Sequence, residues 1–121
     1  MRSWRLAIWD MLDAVEGVAV HVGTHDAATF QRDRTAVRAV ERELAILGEA
    51  AKLVGVEVRE RHPTVPWREM AALRDVLNHS YFGIDVALIW RIATEDLPVA
   101  ATALRQLVDS EGLEDASDAP T

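Results

Sequence analysis

Val37, Val40, Leu44, Leu47, Ala51 and Val54 follow one another at alternating steps of three and four residues. Only an α-helix brings such positions to one side, and the stripe is wide enough to require a packed neighbour. The same spacing recurs in Trp4, Ile8, Met11, Val15, Val18 and Val22, a stripe that ends near Gly23-Thr24. Asp26 is placed to cap a short turn before Phe30, and the second long helix frays near Gly55. A third helix is expected from about Pro66 through Met70, Leu73 and Leu77, stopping near Ser80–Gly83, because proline suits a first helical turn. Asp85, or a residue just before it, starts the next helix, with Ile84, Leu88, Trp90, Ile92 and Ala93 as its apolar residues. Pro98 then kinks that helix or divides it in two. Leu104, Leu107 and Val108 close the core. No stretch alternates with period two for long enough to be a strand. The pattern predicts an all-α antiparallel bundle of four to five helices spanning residues 1–108, followed by a disordered acidic tail, residues 109–121.

A length of 121 residues fits one domain able to bury a core, and half of the residues are hydrophobic. No apolar run approaches the roughly 20 residues that span a bilayer. The opening Met1-Arg2-Ser3-Trp4-Arg5 leads into Asp10 and Asp13 and does not resemble a secretory signal, so a cytoplasmic location is expected. Zero cysteines exclude disulfides and thiolate chemistry. The net charge of −7 argues against broad phosphate binding. Its distribution softens the point: residues 81–121 hold eight acidic side chains against two basic ones, and four of those eight lie in Glu111–Asp118. A small site built on one or two arginines remains compatible with that balance.

The segment Arg74-Asp75-Val76-Leu77-Asn78-His79-Ser80-Tyr81-Phe82-Gly83 crowds chemistry into the end of a helix. Arginine is a permanent planar cation suited to phosphate, and histidine is the side chain best matched to proton transfer near neutral pH. On a straight helix Arg74, Asn78 and Tyr81 share a face, whereas His79 lies roughly 140° round from Arg74. Either the helix loosens around His79–Gly83, or two copies of the segment face each other across a dimer axis. Duller roles are open as well: Arg74 as a salt-bridge or capping residue, His79 as a partner of the helix dipole, Tyr81 as a ring packed at the bundle's edge. Glu49 pairs either with Arg74 or with Lys52 three residues on, and Asp75 either orients Arg74 or His79 or is solvated. His21, His25 and His62 lack metal-ligand spacing, and Trp67 and Trp90 read as core anchors. The arginines of residues 32–42 could guide RNA or meet an acidic partner, but beside Glu41 and Glu43 a solvated helix face is the default reading.

Arg74, four residues, His79, one residue, Tyr81 resembles the signature of the HepT-like toxins, a branch of the HEPN ribonucleases. The flanks agree: Leu47-Gly48-Glu49-Ala50-Ala51-Lys52, Arg61-His62-Pro63 and Val65-Pro66-Trp67-Arg68 upstream, Tyr81-Phe82-Gly83-Ile84-Asp85 and Glu95-Asp96-Leu97-Pro98 downstream. The resemblance covers about Trp9 to Val108. It implies the toxin of a type VII toxin–antitoxin system, a homodimer that cleaves RNA through attack by the 2′-hydroxyl. Arg74 and His79 would be catalytic, supported by Asp75, Asn78 and Glu49, with no metal or other cofactor. It further implies neutralisation by an MntA-type nucleotidyltransferase antitoxin, which attaches AMP to the Tyr81 hydroxyl. The competing expectation is a non-catalytic helical module that binds and positions a nucleotidyltransferase partner.

Overall fold

The computed structural model describes residues 3–79 and 85–113. It is built from helices, with no strand among the described residues. Two 19-residue helices, α1 (Trp4–Val22) and α3 (Arg34–Lys52), form its principal pair. Their expected stripes are the buried ones: Ile8, Met11, Val15 and Val18 meet Val37, Val40, Leu44 and Leu47. Ser3 caps α1 by accepting from the Arg5 amide. The chain passes from one to the other through α2 (Ala27–Arg32), opened by a reciprocal capping box in which Asp26 and Thr29 satisfy each other's backbone amides. Such caps supply partners for donors that no preceding turn can reach. Phe30 on α2 is fully buried, its ring 5.1 Å from that of Trp90. Asp33 ends α2 and caps α3 through the Ala36 amide.

A short helix that periodicity does not reveal, α4 (Val56–Arg61), follows from Gly55 and buries Val58 alone. Six residues with one inward position carry too little pattern to read. The expected helix from Pro66 is present as two pieces, α5 (Trp67–Ala71) and α6 (Leu73–His79), with Ala72 between them still in the right-handed helical region. Trp67 is buried, and its indole donates to the His62 carbonyl, anchoring the loop before α5.

The last rod starts where expected, with Asp85 capping α7 (Val86–Arg91). Pro98 falls in the first turn of the next helix and does not end the rod. A π-helical turn over Ile92–Asp96 joins α7 to α8 (Leu97–Glu111), and the Leu97 amide reaches back five residues to the Ile92 carbonyl. The wider turn accommodates a residue that lacks an amide hydrogen and whose ring crowds the carbonyl four positions back. Helix α8 also continues through Asp109–Glu111, three residues into the segment expected to be tail. Arg61 grips Glu111 with two hydrogen bonds of 3.0 Å, and His62 Nε2 donates to it at 2.6 Å. Gly112, at φ +68°, then closes the helix, and the Leu113 amide reaches the Val108 carbonyl. Residues 114–121 lie outside the described residues. Among the described residues no helix is long and apolar enough to cross a membrane.

Candidate active site

Arg74 stands on α6 with α3 running beside it, and a glycine sets how closely the two approach. A β-carbon at Gly48 would lie 3.0 Å from the Met70 carbonyl oxygen and 3.4 Å from the Arg74 amide nitrogen. The bare backbone at Gly48 therefore lets α3 lie directly against the α5–α6 junction. Its neighbour Glu49 is carried to the rim of the contact, where Arg74 Nη1 donates to Glu49 Oε1 at 2.6 Å. Lys52 Nζ lies 3.7 Å from the same oxygen. Both partners foreseen for Glu49 are thus engaged at once.

This cluster is about half exposed, so its pairing contributes little to stability. Its effect is on orientation. Arg74's hydrogen bond, helped by its charge and that of Lys52, holds the Glu49 carboxyl below the usual carboxylate range. The hydrogen bond from Arg74 to Glu49 in turn raises the guanidinium further above its already high value. Both groups are therefore charged across the physiological range, and among the described residues the guanidinium hydrogen bond to Glu49 runs through Nη1.

The cluster borders an open hollow of about 510 Å³. Asp10 of α1, Arg42, Ile46 and Glu49 of α3, Leu53 just past its end, and Arg74 of α6 line it. Asp10 and Gly48 are contributions that the sequence pattern does not single out as parts of a site, and Arg42 is one of several arginines that it leaves open to RNA, an acidic partner or solvent. Arg42 and Glu49 are seven positions apart on α3 and so share a face, a signal visible only once Glu49 is known to mark the site. A second groove, of about 540 Å³ between α5–α6 and α7–α8, has Glu69 and Asp96 as its ionisable residues. Its lining among the described residues holds no phosphate-binding cation.

The other expected site residues cluster on α6. Asp75 and Asn78 are both exposed, and α6 keeps helical backbone through His79. Positions 74 and 79 are thus about 140° apart around one helix, as a straight helix requires. Tyr81, the expected modification site, lies outside the described residues, as do Ser80, Phe82 and Gly83.

Comparison with known proteins identifies the lineage of this chain. A family model described as ribonuclease HepT-like matches residues 11–107. A Methanocaldococcus jannaschii protein named as a candidate RNase is 38% identical over 97 residues, covering 80% of this chain and 89% of its own. A Thermococcus cleftensis protein named as a probable ribonuclease HepT is also 38% identical over 97 residues, with 80% and 88% coverage. A further M. jannaschii protein, likewise named as a candidate RNase, is 28% identical over 117 residues, 96% of this chain and 97% of its own. No solved structure is a significant match. The matched region takes in Glu49, Arg74 and His79 together, and the chain belongs to the HepT-like ribonuclease family of the HEPN group.

Proposed function

We propose that the protein is an endoribonuclease toxin acting as a homodimer without a metal. The observation that carries this reading is Arg74, tied by Glu49 to the rim of an open hollow and borne five residues before His79 on α6. The names of the relatives, candidate or probable RNases, support the same activity. One His79 takes the proton from a ribose 2′-hydroxyl, and that oxygen attacks the adjacent phosphorus. The bond from phosphorus to the 5′-oxygen breaks, and the leaving oxygen receives a proton from a second His79. Arg74 offsets the charge that develops on the phosphoryl oxygens. The products are a 2′,3′-cyclic phosphate and a 5′-hydroxyl, and DNA, having no 2′-hydroxyl, resists the route.

Helical backbone through His79 favours two protomers over local unwinding as the means of bringing both residue types to one phosphate. Regulation is proposed at Tyr81, where a nucleotidyltransferase antitoxin adds AMP and sets a phosphate against the arginine that the substrate needs. Digestion of RNA by purified, unmodified protein in EDTA tests the reading. Arg74→Ala and His79→Ala should each lower cleavage at least about 100-fold with unchanged circular dichroism. Full activity in His79→Ala refutes the mechanism. An AMP-sized mass increment that persists in Tyr81→Phe refutes the regulatory site.

A further inference from the structure

The hollow beside Arg74 has a second cation at its other end. Arg42 lies seven residues before Glu49 on α3, two turns or roughly 10 Å along the helix and on nearly the same face. Ile46 and Leu53 are exposed apolar side chains, 38% and 44% accessible, and with the small Ala45 and Ala50 they form the floor. The two carboxylates on the rim are already engaged: Glu49 with Arg74 and Lys52, Asp10 with a partner of its own. Arg42 makes no ion pair among the described residues, although Glu41 and Glu43 adjoin it in sequence. An exposed apolar floor between a committed arginine and an uncommitted one is not what a solvated helix face needs. Apolar side chains cover the flat faces of bases and sugars, and the cations take the phosphates to either side.

We infer that Arg42, with the Ile46–Leu53 floor, is a binding subsite for a nucleotide of single-stranded RNA next to the one whose phosphate meets Arg74. The inference rests on the ribonuclease reading and extends it to how the strand is held. Arg42 is a positioning residue: it grips a neighbouring phosphate and takes no part in bond breaking. A floor without polar side chains grips without reading base edges, so the subsite tolerates any base.

The probe is a fluorescein-labelled, 2′-O-methylated single-stranded oligoribonucleotide, which presents phosphates and bases but cannot be cleaved by 2′-hydroxyl attack. Its binding to the unmodified full chain is followed by anisotropy across a salt series, beside the cleavage kinetics of an unmodified RNA. Arg42→Gln should weaken binding and raise KM about tenfold, the loss of one charge-assisted hydrogen bond at an exposed site. It should leave kcat within about twofold and flatten the slope of log affinity against log salt by about 0.7, one phosphate on a single strand. Arg38→Gln, one turn farther along α3 and outside the hollow, should leave both measurements near wild type. If RNA is cleaved and Arg42→Gln matches wild type, the subsite is refuted while the ribonuclease reading stands. Equal losses in Arg42→Gln and Arg38→Gln also refute it, because they mark a diffuse field in place of a seat. If the wild-type chain neither cleaves nor binds RNA, the ribonuclease reading fails and takes the subsite with it.

Discussion

Gly48 is where a branched side chain tests whether the site depends on close helix packing. In Gly48→Val the new β-carbon starts 3.0 Å from the Met70 carbonyl oxygen, 3.4 Å from the Arg74 amide and 3.5 Å from Leu73 Cβ. Two of those three atoms belong to the backbone and cannot rotate away, so α5–α6 must shift off α3. Overpacking of this kind costs about 1–3 kcal/mol. Escape from glycine's poor helix propensity returns less than about 0.5 kcal/mol. For a domain of this size each kcal/mol moves the melting temperature by roughly 3–6 °C, so a fall of about 2–15 °C is expected by calorimetry. Cleavage should suffer beyond that, even well below the melting temperature, because the shift pulls Arg74 from Glu49. Gly48→Ala balances the same contact against about 1 kcal/mol of helix propensity and should lie near neutral. Gly55 supplies the control: a β-carbon there meets nothing within 4 Å, and alanine should cost only the value of an N-cap glycine, under about 1 kcal/mol. Wild-type melting and wild-type cleavage in Gly48→Val would show that the close approach at Gly48 does not build the site.

Phe30→Ala should destabilise the bundle by about 3–5 kcal/mol, because its fully buried ring joins α2 to Trp90; urea unfolding measures this, and a loss under about 1 kcal/mol contradicts the packing. Stability should also fall in acid through Glu111, whose carboxyl Arg61 first and His62 second hold below its ordinary value of 4.5. A depressed carboxylate stabilises the fold fully above its unfolded value and loses that contribution as pH drops through its folded one. Melting temperatures should therefore fall less steeply with acid below about pH 4.5 in Glu111→Gln than in wild type, and parallel curves refute the clasp.

Much of this molecule is legible without coordinates. The stripes on α1 and α3 name the core, because each helix can bury only one face and the apolar residues must share it. Asp26 and Asp85 announce helix starts, since a short acceptor satisfies the first free amides wherever it occurs. Arg74 and His79 stand out because strong chemistry is crowded into a few residues. Even the end of α8 carries a local signal in Gly112-Leu113, hidden by the acidic composition around Glu111. Tertiary structure decided what depends on residues far apart in the chain. It chose both partners for Glu49, held Arg61 and His62 against Glu111 some 50 positions away, and joined α7 to α8 through a π-helical turn just before Pro98. It also turned Arg42 from one arginine among several into a wall of the Arg74 hollow. Periodicity reports which face of a helix is buried, but neighbours along the exposed face are set by how closely two backbones approach. Here that distance is set by the absence of a side chain at Gly48.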